Sequence, residues 1–346
     1  MKIINVGILG YGLSGRIFHG TIIQTVPGFK IKKVMTTDPD KANQAKCDLP
    51  NINIVKTADE VINDSDIDLV VIATPNTSHF ELAMQALEAG KHVIIEKPFT
   101  ITSHDALRLI DKESEGDKIL SVYHNRRFDG DFLTVTDLIN HDKLGRLVEY
   151  ESHFDRFRNT IKKDAWREQA SPGSGILYDL GPHLIDQALY LFGLPHEVYA
   201  DISSQRRNVV DDHFEIILYY SELKVTLKSG MLVKEPLPRF ILHGTDGSFV
   251  KYGLDSQESD LKAGKRPSSD LWGYEPKSLW GTLNTKEKQI IETLPGNYRL
   301  YYTNIYKAIV HQEKLEVSSQ DGFNVIRIIE AAQQSNTEKR RIEIKH

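Results

Sequence analysis

The chain of 346 residues contains a single cysteine, Cys47. One thiol excludes an internal disulfide framework and suits a reducing compartment. No apolar run approaches the roughly 20 residues that span a bilayer. Basic residues are not in excess: 43 Lys and Arg face 48 Asp and Glu, a formal net charge of -5. Such a chain lacks the broad basic field that non-specific nucleic-acid binding needs. No Cys/His set has zinc-ligand spacing and no G-x-S-x-G elbow occurs, so no metal site and no serine nucleophile are expected. Internal repeats and low-complexity tracts are lacking as well. The N-terminal residues enter a strand pattern without a signal-peptide layout, so a cytoplasmic protein is expected. What remains is an ordinary globular composition, 40% hydrophobic and 26% charged, in a length that suits about two domains.

Residues 1–123 read as alternating strands and helices. Ile3–Leu9, Ile31–Met35, Leu69–Ala73, Val93–Ile95 and Ile119–Tyr123 are short apolar runs, the pattern of buried parallel strands. Helices are expected over Arg16–Thr25, after the Asp38-Pro39 start signal, around Phe80, Ala83, Met84 and Leu87, and after Ser103. This alternation predicts an α/β fold with a doubly wound parallel sheet. The texture changes beyond the boundary, which falls at Ser121–Asn125 and leaves 124–346 as the second domain. Leu147–Phe154, Val198–Ser203, Phe214–Tyr220, Leu223–Leu232 and Phe240–His243 read as longer, half-polar strands. They predict an antiparallel sheet with one covered face. One helix is expected from Pro182 to Phe192, and two more close the chain over Tyr298–Glu313 and Asp321–Gln334. Asp255–Pro295 reads as irregular, anchored by Trp272 and Trp280.

Gly10-Tyr11-Gly12-Leu13-Ser14-Gly15 follows the first strand and precedes a helix. In that context G-x-G-x-x-G is a dinucleotide-binding turn. Its glycines permit a tight turn, close approach of backbone to a pyrophosphate, and close helix–strand packing. The end of the second strand, Met35-Thr36-Thr37-Asp38, bears on which dinucleotide. Asp38 lies 23 residues past Gly15, somewhat beyond the roughly 20 typical of a ribose-binding acid, and it is also placed to cap a helix. With Asp38 on the ribose the cofactor would be NAD. With Asp38 as a cap, Thr36 and Thr37 could hydrogen-bond a 2′-phosphate, helped by Lys41, and the cofactor would be NADP. The balance tips to NADP.

Glu96-Lys97-Pro98 follows the strand Val93–Ile95, at the edge where open parallel sheets bind ligands. A cis Lys97–Pro98 bond would aim the lysine into that crevice. There it could hold the cofactor ribose and a substrate oxygen, and lower the pKa of a substrate hydroxyl. Read locally, it is equally a surface lysine before a turn.

Gly10-x-Gly12-x-x-Gly15, Ala73-Thr74-Pro75-Asn76-x-x-His79, Glu96-Lys97-Pro98 and the segment Gly173–Asp186 together resemble the glucose-fructose oxidoreductase / inositol dehydrogenase / rhizopine-catabolism (Gfo/Idh/MocA) family. The resemblance covers nearly the whole chain and weakens over Asp255–Pro295. It implies an N-terminal Rossmann domain and a C-terminal α/β domain with a large, mostly antiparallel open sheet, which would serve as the interface of a homodimer or larger homo-oligomer. It implies that Gly10, Gly12, Leu13, Ser14, Gly15, Ala73, Thr74, Pro75, Asn76, His79, Glu96, Lys97 and Pro98 bind the cofactor. It also implies that Lys97, Asp179 and His183 are the catalytic group. Asp179 and His183 are four residues apart, a one-face helical spacing. With Pro182 suited to a first helical turn, Asp179 is expected just before the helix. A carboxylate beside a histidine fixes its tautomer, and His183 could then take a hydroxyl proton.

Two clusters could shape a pocket. Tyr123–Asp129, with Phe18-His19-Gly20 near the glycine turn, resembles a branch of the family containing NADP-linked scyllo-inositol dehydrogenases. There Asn125 could reach the cofactor, and His124 or Arg126 a polyol. His153–Arg158, with Trp166 downstream, offers Arg156, Arg158 and Trp166 as donors and an aromatic floor. The reading is therefore an NAD(P)-dependent dehydrogenase that interconverts a secondary alcohol and a ketone on a cyclic polyol or sugar. A dinucleotide-binding sugar sensor and a dihydrodiol or biliverdin type of reductase are the alternatives.

Overall fold

The computed structural model describes residues 2–162, 165–267 and 271–345. The chain forms two compact units. The first takes Met1–Asn125 together with Gln257–Trp272 and Asn297–Phe323, and the second takes the rest. Two later stretches of the chain thus return to the first unit. No helix among the described residues is long and apolar enough to cross a membrane.

The first unit holds a six-stranded sheet of β1 (Ile4–Leu9), β2 (Phe29–Met35), β3 (Asn53–Val55), β4 (Leu69–Ile72), β5 (His92–Ile95) and β6 (Leu120–Val122). Its order is β3-β2-β1-β4-β5-β6 and every pairing is parallel. This is the doubly wound arrangement, with the order reversing beside β1 and ligands expected at the carboxyl ends there. Leu69, Val70, Val71 and Ile72 are wholly buried because helices cover both faces of such a sheet. The chain leaves β1 through the glycine turn into a π-wound segment, Ser14–Gly20, which continues as α1 (Thr21–Ile23). Then come α2 (Pro39–Asp48), α3 (Asp59–Ile62), α4 (His79–Glu88) and α5 (Ser103–Ser114). The cap of α5 is Thr102, whose hydroxyl accepts the Asp105 N–H at 3.1 Å, one residue earlier than the sequence suggested.

The second unit opens with α6 (Gly130–Asn140), which the sequence reading lacked, and holds a nine-stranded sheet. Its strands are β7 (Leu147–His153), β8 (Glu197–Ser203), β9 (His213–Tyr219), β10 (Lys224–Gly230), β11 (Phe240–Gly244), β12 (Ser248–Lys251), β13 (Gly281–Asn284), β14 (Lys288–Ile291) and β15 (Ile342–Glu343). The order is β14-β13-β12-β11-β7-β10-β9-β8-β15, antiparallel except for β7 beside β10. Tyr150, Leu218, Val225, Leu227 and Leu242 point to one face and are wholly buried. α7 (Gly175–Phe192) packs on β9 and β10. The expected irregular stretch Asp255–Pro295 is in fact partly ordered, with α8 (Gln257–Lys262), β13 and β14; residues 268–270 within it lie outside the description. Trp272 does act as an anchor, donating its indole N–H to Gln257 at 3.0 Å. α9 (Arg299–His311) and α10 (Ser319–Glu338) close the chain.

Candidate functional site

In the first unit, the three motif glycines play three different parts. Gly10 has φ of +92°, and a Cβ there would stand 2.8 Å from the Ala73 carbonyl oxygen. A Cβ on Gly15 would stand 2.0 Å from the Gly10 carbonyl oxygen. Both glycines let backbone lie against backbone. A Cβ on Gly12 would meet nothing within 4 Å. That open cradle above a helix start is what a pyrophosphate fills, so the residues present fit a dinucleotide.

At the end of β2, Thr36 is buried and Thr37 exposed. Asp38 caps α2: its Oδ1 accepts the Asp40 and Lys41 N–H groups at 2.9 and 3.3 Å. Its Oδ2 lies 3.0 Å from Lys41 Nζ. Hydrogen bonding to Lys41, through side chain and backbone, holds the Asp38 carboxyl below its usual range. The carboxylate therefore has full local employment as a cap.

After β4, Thr74 pairs its hydroxyl with that of Ser78 at 2.7 Å, and Asn76 is buried. His79 ties two turns together. Its Nδ1 lies 2.8 Å from the Pro98 carbonyl oxygen and its Nε2 3.1 Å from that of Thr74. Burial pushes this imidazole down from its ordinary value, against the pull of those carbonyls. The Lys97–Pro98 bond is cis. Lys97 is half-exposed, while Glu96 beside it is buried. The Glu96 carboxylate accepts the Ser14 hydroxyl and the Lys97 N–H, the latter at 3.0 Å, and faces His19 Nε2 at 3.0 Å. Burial pushes the Glu96 carboxyl up. The His19 hydrogen bond and charge, the Ser14 hydroxyl and the Lys97 charge outweigh it and bring it to about 2.

In the second unit, α7 starts at Gly175, seven residues before Pro182. Asp179 is therefore inside the helix, one turn before His183 on the same face. The helix begins early because Asp211 supplies a remote cap: its carboxylate accepts the Leu177 N–H at 2.7 Å and its carbonyl the Ile176 N–H at 3.1 Å. Burial pushes the Asp211 carboxyl up to about 6 despite those backbone hydrogen bonds. Asp179 faces two guanidinium groups, Arg167 Nε at 3.2 Å and Arg156 Nη1 at 3.5 Å. His183 is buried and stacks on Phe154, with ring centroids 6.5 Å apart and planes at 26°.

Phe154 organises this region. Arg126, Arg156 and Arg239 place guanidinium carbons 4.7, 5.2 and 5.6 Å from its ring centre. Arg126 pairs with Asp129 at 3.1 Å, and Arg239 with Asp131 at 3.5 Å. Gln187 links the two arginines: its amide donates to the Arg126 carbonyl and its oxygen accepts from Arg239, each at 2.8 Å. Phe154 lies in the His153–Arg158 cluster that the sequence offered, on the strand face shared with Arg156; Gln187 and Arg239 were not among the sequence candidates. A lone glutamine or arginine in a strand or helix carries no local signal. Of the proposed substrate residues, Arg156 lies beside Asp179, Arg126 beside Asp129 and Trp166 under the Arg167 guanidinium at 4.6 Å. Arg158 is exposed. His124 and Asn125 are buried at the end of the first unit's leading segment. Arg127 forms two hydrogen bonds to the Asp186 carboxylate at 2.9 and 2.6 Å. Among the described residues, no group of three or more His, Cys, Asp or Glu could hold a metal ion.

Comparison with known proteins covers both units. Residues 4–124 match the "Oxidoreductase family, NAD-binding Rossmann fold" of Gfo/Idh/MocA proteins, and residues 136–344 match its "Oxidoreductase family, C-terminal alpha/beta domain". Scyllo-inositol 2-dehydrogenase (NADP(+)) IolW of Bacillus subtilis is 41% identical, over 99% of this chain and 96% of that protein. The solved structure of yvaA from B. subtilis superposes with a TM-score of 0.95 at 41% identity, covering 99% of each chain. That of an oxidoreductase from Bacillus cereus gives 0.90 at 33% identity, again covering 99% of each. The chain belongs to the Gfo/Idh/MocA oxidoreductase family and is an NAD(P)-dependent dehydrogenase by class.

Proposed function

We propose that the protein interconverts a secondary alcohol and a ketone on a cyclic polyol, scyllo-inositol first, using NADP. The likeness to IolW along 99% of the chain carries this reading. The capping role of Asp38 supports NADP, since an acid employed at its own helix does not reach for a ribose hydroxyl. Thr37 and Lys41 then face the 2′-phosphate. The glycine turn holds the pyrophosphate at Gly12, and the turns at Ala73–Asn76 and Lys97–Pro98, with Asn125, line the rest of the dinucleotide.

When bound, the nicotinamide accepts or returns the hydride. His183 takes the substrate hydroxyl proton as the carbon is oxidised. Lys97 stabilises the developing alkoxide with its positive charge. Asp179 holds His183 in working orientation and is itself held by Arg156 and Arg167. Trp166 gives the polyol an aromatic wall, and the buried Phe154 fixes the guanidinium groups of Arg126 and Arg156 from behind. The working form is a homodimer or larger assembly through the second unit's sheet, in the cytoplasm.

The test is reduced-nicotinamide absorbance with NAD or NADP against a panel of inositols and aldoses. Signal with NADP and an inositol is expected. Signal with NAD alone would move Asp38 to the ribose. Tight cofactor binding without turnover on any polyol or sugar would replace the enzyme reading by a sensor.

A further inference from the structure

The Glu96 carboxylate lies beneath the glycine turn, in a place costly for a charge. Taking a carboxylate out of water is expensive, and swapping a buried ion pair for apolar groups is often neutral or stabilising. Stability alone does not explain its presence. Its donors come from three places in the first unit. The Ser14 hydroxyl belongs to the glycine turn itself. The Lys97 N–H belongs to the lysine-proline step. His19 Nε2, 3.0 Å away, belongs to the π-wound segment that follows the turn. His19 is wholly buried, and its other nitrogen lies 2.5 Å from the Tyr302 hydroxyl. With Nδ1 facing the Tyr302 hydroxyl and Nε2 facing Glu96, the ring links the two groups in one row. The Tyr123 ring packs on His19 at 4.3 Å and fixes its plane.

We propose that Glu96, oriented by His19 and Tyr302, is a positioning residue that sets the glycine turn through Ser14 and the lysine step through the Lys97 backbone, and does not itself touch the cofactor. This rests on the reading that the glycine turn holds NADP and that Lys97 works on the substrate. It replaces the direct cofactor contact the motif resemblance implies for Glu96. The carboxylate is held in place by three internal donors, two on Oε1 and one on Oε2. Its influence on the dinucleotide passes through the groups it holds.

A double-mutant cycle on cofactor affinity tests this without any substrate. NADPH binding is titrated by nicotinamide fluorescence on the full chain for wild type, Ser14→Ala, Glu96→Gln and the pair. Each single change should weaken binding about tenfold, the scale of one charge-assisted hydrogen bond. The pair should be no weaker than the weaker-binding single variant. Losses that multiply in the pair would mean Glu96 meets the cofactor on its own account, and the proposal falls. An unchanged affinity in Glu96→Gln would overturn it too. Should Glu96→Gln fail to fold, Tyr302→Phe removes only the hydroxyl that faces His19 Nδ1. It should weaken NADPH about two- to fivefold in wild type, roughly what a neutral hydrogen bond supplies, and by less in the Ser14→Ala background, where only the route through the Lys97 N–H remains. Equal weakening in both backgrounds would count against the proposal. A wild-type protein that binds no reduced cofactor would instead overturn the function reading, and this one with it. Binding with no turnover on polyols would leave the cycle standing and remove only the substrate assignment.

Discussion

Two helical segments begin at the two candidate regions, and they begin differently. Past the glycine turn the start is open: a Cβ on Gly12 would meet nothing within 4 Å. At α7 the start is filled by the chain's own acid. Asp211 accepts the Leu177 N–H, and a Cβ on Gly175 would stand 2.1 Å from its Oδ1. Helix N-termini attract anions. One is left for a ligand and the other is closed by a side chain. The first unit therefore offers the end of a helix, whereas the second offers the side of one, where Asp179 and His183 stand a turn apart. The predictions that follow test that division, from the largest effect to the smallest.

If α7 works through its side chains, His183→Asn should cost turnover about a hundredfold to ten-thousandfold, the span of general acid–base contributions. Its NADPH affinity should stay within about twofold. Lys97→Met should cost turnover on the same scale. Steady-state rates beside a cofactor titration decide it. Wild-type turnover in either variant removes that residue from the chemistry, and lost cofactor affinity in His183→Asn would blur the division between the units. If the first unit works through an open end, Gly12→Val should abolish tight NADPH binding while leaving the melting temperature alone. Gly15→Ala should do the reverse in part. Its Cβ meets the Gly10 carbonyl at 2.0 Å, an overpacking that costs about 1–3 kcal/mol. Equal stability of the two variants would contradict the roles given to these glycines.

The same contrast explains what could be read from the sequence. The first unit's site lies on contiguous stretches, Gly10–Gly15, Ala73–His79 and Glu96–Pro98, each directly after a strand of the parallel sheet. Strand, turn and ligand group are then neighbours in the chain, and local pattern suffices. The Glu96–His19–Tyr302 row was not legible, because Tyr302 arrives 206 residues after Glu96 on a helix that returns to the first unit. In the second unit Phe154, Gln187 and Arg239 meet only through the pairing of strands and the packing of α7. The start of α7 was misplaced for a related reason. Pro182 has no N–H to donate and reads as a first-turn residue, whereas the true start is set by Asp211, remote in sequence. The short strands β12 to β15 escaped notice because their runs of two to four residues are too brief to show alternation.

The bolt between the segment after residue 125 and α7 offers a test of stability alone. Arg127 and Asp186 are both buried and joined by two hydrogen bonds. Arg127→Ala strands a charge and should cost about 3–5 kcal/mol, read as a lower urea midpoint. Replacement of both by Met and Leu should restore much of it. A single variant as stable as wild type would show that water reaches Asp186.

The smallest effect separates the two carboxylates by sign. Burial raises the Asp211 carboxyl from its ordinary 3.8 to about 6. A raised folded value means the folded protein holds this proton more tightly than the unfolded chain does. Its contribution to stability is complete below pH 3.8 and is lost as pH rises towards 6. Glu96 runs the other way. Burial would raise it, but its donors lower it from 4.5 to about 2, so its contribution is complete above pH 4.5 and lost as pH falls towards 2. Asp211→Asn keeps an oxygen for the Leu177 N–H and cannot ionise. From pH 4 to 7 the urea midpoints should therefore decline less in this variant than in wild type; with the series extended down to about pH 2, Glu96→Gln should leave that limb unchanged while flattening the acid one. Parallel curves for Asp211→Asn and wild type would mean that the N–H groups at the start of α7 hold the carboxylate charged. The closed helix end would then bind its anion as the open one is proposed to bind a phosphate.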